Sequence, residues 1–219
     1  MLRKRVVVVF GTRPEAIKVA PVVKALERAP WAEPVPVVTA QHRGILDQVL
    51  DLFGIQPAHD LDILEPGQTL ASITTRSLAG LVPVLWEAEP DLVVVQGDTT
   101  TTLAGALAAF YRRIPVAHLE AGLRTGDLAA PYPEEMNRRV TTQLASLHLA
   151  PTATARANLL AEGVQPGSVV VTGNTVIDAL HWTVARRRPY EAAELAALDL
   201  DRDPRRVLLV TAHRRESWG

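Results

Sequence analysis

The stretch HLEAGLRTGDLAAPYPEEMNR, residues 118–138, decides how the rest of the chain is read. It starts inside an apolar, strand-like run over residues 114–119. It then sets Glu120, Asp127, Glu134 and Glu135 within one connection, interleaved with Gly122, Arg124 and Gly126. Carboxylates repel one another, so gathering them is costly. A connection this polar, fed by a buried strand and closing into a helix near Pro133, is where an α/β protein keeps its chemistry.

Outward from this stretch, short β-branched runs alternate with longer helical patterns, the signal of a parallel sheet with helices on both faces. Strands are expected over residues 6–10, 35–39, 61–64 (the weakest), 91–96, 114–119, 147–150 and 169–172. The first helix opens at Pro14, a residue suited to a helix's first turn, and carries Ile17, Ala20, Val23 and Leu26 on one face. A second helix points Ile45, Val49, Leu52 and Phe53 inward. A long helical pattern over residues 69–87 is expected to kink near Pro83, which lacks a backbone donor. The fold class is therefore α/β, a Rossmann-like parallel sheet. Residues 1–172 form the first domain and residues 173–205 a connecting, partly helical passage. Residues 206–219 open a second α/β unit with one strand and its loop. With nothing left to pair that strand, the chain is expected to be a fragment of a two-domain protein.

Composition removes several classes. There is no cysteine, which excludes disulfides, thiolate metal sites and cysteine nucleophiles. A formal net charge of -1 over 219 residues argues against a nucleic-acid footprint. The apolar run at residues 6–10 is followed by GTRPE where a signal cleavage site would need small residues. The least polar longer segment, residues 99–111, is too short to span a bilayer. The expectation is a cytoplasmic protein with no membrane partner. The basic residues are nearly all arginine, with lysine only at positions 4, 18 and 24.

GTRPE, QHRG, GDTTT, EAGLRTGD and HRRE each follow the carboxyl end of an expected strand. In a parallel sheet those ends share one edge, and ligands bind outside it. Gly11-Thr12-Arg13-Pro14-Glu15 has neither a GxGxxG nor a GxxxxGK[ST] pattern, so it is no dinucleotide or Walker fingerprint. It reads either as a tight turn or as backbone N–H groups that hold an anion together with Arg13 and Lys18. Asp98 is either an N-cap or, if the threonines after it cap, a carboxylate free to face the crevice. A salt bridge from Glu120 to Arg124 is disfavoured by the glycine between them. One of Glu134 and Glu135 is expected to pair with the arginine four residues on, Arg138 or Arg139. Glu135 and Asp127 are expected to order the loop and helix start. Adjacent strand ends lie about 5 Å apart, so Asp98, Glu120 and Glu134 can meet. Carboxylates that close split their proton affinities, which suits proton transfer. A divalent metal held by the same groups is the rival, although no aspartate-rich metal loop is present.

Together FGTRPEAIK, QGDTTTT, HLEAGLRTGD with PEEMNRR, and TAHRRES resemble the non-hydrolysing UDP-N-acetylglucosamine 2-epimerases, in order and over essentially the whole chain. The resemblance implies two Rossmann-like domains in the glycosyltransferase-B arrangement, of which this chain holds the first, with the site in the cleft between them. It implies reversible conversion of UDP-N-acetylglucosamine to UDP-N-acetylmannosamine, with no cofactor, by a homodimer. The hydrogen on carbon 2 is not acidic, so the family eliminates UDP to a 2-acetamidoglucal and adds it back. Carried over by motif, Asp98, Glu120, Glu134 and His213 are the catalytic candidates. Arg13, Lys18, Gln41, His42, Arg138, Arg214, Arg215 and Glu216 are the substrate-binding ones, Arg13, Lys18 and His213 stabilising the departing UDP. Neither metal nor nucleic acid is expected. A chain with half the cleft is expected to show at most trace activity. The competing readings are a hydrolysing epimerase or a glycosyltransferase of the same architecture, and a nucleotide-sugar-binding subunit without chemistry of its own.

Overall fold

The structure, a computed structural model, describes residues 3–40, 44–186 and 193–196, together with residues 208 and 210. The chain divides into two compact units, residues 1–183 and 184–219. The sheet and the site belong to the first. Of the second, a single helical turn, Ala193–Ala196, is described beyond the end of the last long helix.

The first unit alternates strand and helix as the sequence predicts. It runs β1 (Lys4–Phe10), α1 (Arg13–Arg28), β2 (Ala32–Val38), α2 (Gly44–Phe53), β3 (His59–Asp60), α3 (Leu70–Ala88) and β4 (Leu92–Gln96). It continues with α4 (Thr100–Tyr111), β5 (Val116–Leu119), α5 (Glu134–Leu144), β6 (Leu147–Ala150), α6 (Ala153–Ala161), β7 (Val169–Val171) and α7 (Thr175–Ala185). The seven strands form one sheet in the order β3-β2-β1-β4-β5-β6-β7, and every pairing is parallel. The order reverses between β1 and β4, and such a reversal leaves a crevice outside the strand carboxyl ends.

β1 shows why both sheet faces are covered. Val6, Val8 and Phe10 point to one face and pack with Val94, Ala117 and residues of α1 and α2. Val7 and Val9 point to the other, with Val93, Val95 and residues of α3 and α4. A strand buried on both faces reads as a continuous apolar run, and full burial of each such side chain contributes about 1.5–3 kcal/mol. The two prolines of β2, Pro34 and Pro36, are tolerated because β3 pairs only with Val37 and Val38. The missing N–H groups therefore interrupt no long ladder on that side.

Strand boundaries shift in places. The third strand lies at His59–Asp60 rather than at residues 61–64, because Asp62 takes a left-handed backbone (φ 43°) that ends the regular pairing. The Leu61 and Ile63 amides still reach the Val38 and Thr39 carbonyls. β2 starts earlier than expected, at Ala32. α3 spans Leu70–Ala88 and includes Pro83. Among the described residues no helix is long and apolar enough to cross a membrane.

Candidate active site

The carboxyl ends of β1, β4 and β5 lie side by side, in the registers Val9 to Val95 and Gln96 to Leu119. The turn after β1 approaches its neighbours so closely that a Cβ at Gly11 would collide with the Thr39 and Thr101 hydroxyls, which bond to each other at 2.9 Å. Only glycine fits there. The fully buried Glu15 carboxylate then accepts from Gly11 N (3.0 Å), Thr12 N (2.8 Å) and Thr99 Oγ1 (2.6 Å). It ties the β1 turn to the β4 turn. Burial raises its pKa against the pull of those bonds. Of the backbone N–H groups expected to hold an anion, those of Gly11 and Thr12 are thus taken by Glu15, while the Arg13 side chain is exposed.

After β4, Thr99 caps α4 by accepting from Thr102 N at 3.1 Å, which leaves the Asp98 carboxylate free of the cap. Gly97 adopts φ +73°, a conformation that glycine reaches without strain. Asp98 faces Arg138 Nη1 across 3.5 Å. Burial pushes its pKa up to about 6, with Arg138 pulling down and Glu134 and Glu120 pushing up. Glu134 and Glu120 are thus each near enough to Asp98 to act on its charge. Glu134 is half-buried, in the first turn of α5.

Glu120 follows β5 with its backbone in the left-handed region (φ 65°), a strained position for a side chain of this size. One carboxylate oxygen accepts from Lys18 Nζ (2.5 Å) and Gln96 Nε2 (2.6 Å), the other from Asn174 Nδ2 (3.0 Å). A carboxylate ringed by an ammonium and two amide donors is poorly placed to ligate a cation. Lys18, expected to face a departing diphosphate, is drawn to Glu120.

The other carboxylates sort as expected. Glu135 is fully buried. It accepts from the Thr125 and Gly126 amides and pairs with Arg138 (2.9 Å) and Arg139 (3.0 Å), so it orders the loop and the helix start. Asp127 accepts from Ala129 N within that loop. Arg124 is paired with Glu162 at 2.6 Å and reaches Thr142, not Glu120. Arg138, expected to bind substrate, lies between Asp98 and Glu135. Gln41, His42, His213, Arg214, Arg215 and Glu216 lie outside the described residues.

Sequence reasoning missed Glu15, Gln96, His118, Asn137 and Asn174. Gln96 had a readable signal, since it ends the apolar strand LVVVQ at the sheet edge, two residues before Asp98. Asn174, just before α7, carries the ordinary signature of a helix-start residue. It is one, accepting from Val176 N, but its other end serves Glu120.

These features define a Rossmann-like α/β domain with an acidic crevice at the reversal point of its sheet. Residues 24–219 match the family described as UDP-N-acetylglucosamine 2-epimerase, and the chain belongs to that family. It is 57% identical over 221 residues to the UDP-N-acetylglucosamine 2-epimerase of Escherichia coli K12, a match covering 98% of this chain and 58% of that protein. Among solved structures it is similar to the epimerase from Neisseria meningitidis bound to UDP-GlcNAc (TM-score 0.81, 52% identity, 83% of this chain, 49% of that one). It is also similar to the Methanocaldococcus jannaschii epimerase in complex with UDP-GlcNAc and UDP (TM-score 0.78, 38% identity, 84% and 51%). A lipopolysaccharide outer core galactosyltransferase, WaaB, shares the fold at 13% identity (TM-score 0.55). The chain spans about 58% of the length of the curated relatives it matches.

Proposed function

We propose that this chain supplies the acid–base wall of an enzyme that interconverts UDP-N-acetylglucosamine and UDP-N-acetylmannosamine. The observation that carries the reading is Asp98, a carboxyl whose pKa of about 6 lies near neutrality, beside Glu120 and Glu134 in the crevice outside β4 and β5. Such a group gives and takes protons near physiological pH, and a general acid or base of this kind supplies about 10² to 10⁴ in rate. The reaction needs two proton transfers at carbon 2. One carboxylate removes the proton while the bond from carbon 1 to the diphosphate oxygen breaks, UDP leaving with the electron pair. A carboxylate on the other face then returns a proton to carbon 2 of the 2-acetamidoglucal as UDP adds back to carbon 1. Arg13 stabilises the departing diphosphate, while Lys18 holds Glu120 in place and Arg138 lies beside Asp98.

In the same proposal residues 1–172 form one Rossmann-like domain, residues 206–219 open another that supplies His213, Arg214, Arg215 and Glu216, and the protein works as a cytoplasmic homodimer. The 219 residues alone, matching 58% of the Escherichia coli relative, turn over at most traces. The full-length protein incubated with UDP-N-acetylglucosamine in deuterated water tests the reading. An equilibrium mixture of two UDP-sugars carrying deuterium at carbon 2, with free UDP as a minor product, is the expected result. Release of free N-acetylmannosamine or transfer of the sugar to an acceptor overturns it in favour of the hydrolysing or transferase readings.

A further inference from the structure

The Asp98 carboxylate has little to hold it directly: its ion pair with Arg138 is long, at 3.5 Å. Its direction is set instead by the backbone beneath it, which is held from three sides. Gly97 N donates to Leu119 O at 2.9 Å. His118, fully buried in β5, places Nε2 2.6 Å from Gly97 O. Asn137, buried on α5, donates from Nδ2 to Asp98 O at 2.9 Å. A carbonyl only accepts, so His118 carries its proton on Nε2, and its buried Nδ1 is bare and without a hydrogen-bond partner among the described residues. A purely structural position in the apolar strand VAHL would avoid that unpaired nitrogen, since leucine or valine packs there at no such cost. Burial holds the His118 pKa down at about 4, so the ring stays a neutral donor over the working range.

We propose that His118 and Asn137 are positioning residues for Asp98, holding the two consecutive carbonyls of the Gly97-Asp98 turn so that the carboxylate is aimed into the crevice at a fixed depth. Asn137 does a second thing. It follows Glu134 by less than one turn of α5, so its bond to Asp98 O also fixes the spacing between the Asp98 and Glu134 carboxylates. The charged groups that face Asp98 are Arg138 and Glu134 from α5, Glu120 after β5 and Lys18 from α1. Releasing the turn changes its distance to all four. The inference rests on reading Asp98 as a proton-transfer group.

The test compares His118→Leu, His118→Gln, Asn137→Leu and Asp98→Asn in the full-length protein, reading kcat, KM and the pH profile with UDP-N-acetylglucosamine. His118→Leu and Asn137→Leu are expected to lower kcat by about 10- to 100-fold with KM held within about threefold, as misplacement of a reacting group does. Both should move the pH midpoint that belongs to Asp98. His118→Gln, whose amide reaches the same carbonyl, is expected to recover most of kcat. Folded leucine variants with unchanged kcat and pH profile, beside an inactive Asp98→Asn, overturn the positioning role and leave the proton-transfer reading intact. An active Asp98→Asn overturns that reading first. Should a leucine variant fail to fold, Asn137→Ser carries the test. Its shorter side chain is expected to cost about tenfold in kcat, and a serine variant at full kcat overturns the proposal.

Discussion

Lys18 Nζ stands 2.5 Å from Glu120 Oε2, so the cation of α1 and the carboxylate after β5 form one unit within the crevice. Because the pair is mostly buried, desolvation of both charges offsets much of their attraction and its net contribution to stability is small. In the proposed reaction its contribution is larger, since removing the ammonium leaves Glu120 with Gln96 and Asn174 alone. Lys18→Gln is expected to lower turnover by about 10- to 100-fold while shifting the urea midpoint little. A variant that loses stability but keeps its turnover would contradict this assignment.

Asp98 makes a pH-dependent prediction. Its native pKa of about 6 exceeds the ordinary value of 3.8, so the native state binds a proton more tightly than the unfolded chain does. Stability therefore falls as pH rises from about 4 to about 6, and the whole cost is present above that window. Asp98→Asn removes the cost. Urea unfolding should show the variant more stable by about 1–3 kcal/mol at pH 8, the gain disappearing below about pH 4. Equal stabilisation at both pH values would contradict this.

Glu15 is expected to behave as a structural brace. Glu15→Ala leaves the Gly11 and Thr12 amides and the Thr99 hydroxyl without their acceptor in a buried place, at a cost of about 3–4 kcal/mol. Glu15→Gln keeps one acceptor oxygen and should cost about half as much. Amide hydrogen exchange at Gly11 and Thr12 reads the difference directly: both amides should exchange fast in the alanine variant and remain protected in the glutamine one.

Glu135 governs order in the long acidic connection. Burial alone would raise its pKa, but the Thr125 and Gly126 amides and the arginines beside it prevail and hold it below the usual value. Its stabilisation is therefore present above the ordinary carboxylate pKa and lost as pH falls through the lower native one. Glu135→Ala is expected to destabilise by about 2–4 kcal/mol and to speed exchange at Thr125 and Gly126. Unchanged protection of those two amides would contradict the role.

Much of this was legible from residue order. The apolar runs gave the strands because a strand buried on both faces has no polar alternation to confuse. GTRPE, GDTTT and EAGLRTGD marked one edge of the sheet because a parallel sheet puts all strand carboxyl ends together. That Asp98 could be spared from capping was readable because four threonines stood ready to replace it, and Thr99 does so. What stayed hidden depended on partners distant in sequence or on backbone angles. Arg124 found Glu162 rather than a neighbour in its own loop. Glu120 reached Lys18, Gln96 and Asn174 only because its backbone turned left-handed, which nothing in the letters EAG announces. The third strand moved because Asp62 turned the same way.

The ring of donors around Glu120 also bears on how the molecule folds. Lys18 is 102 residues from Glu120, and Asn174 is 54 residues beyond it. Contacts that close loops this long form late, because their entropy must be met before they stabilise anything. No hairpin or single strand–helix unit rehearses this cluster on its own. Only a chain that has already docked β1, β4 and β5 in their final order brings the ammonium, the carboxylate and the amide together. The Lys18–Glu120 contact is thus a gauge of finished topology, and a refolding intermediate with most of its helices formed would still lack it.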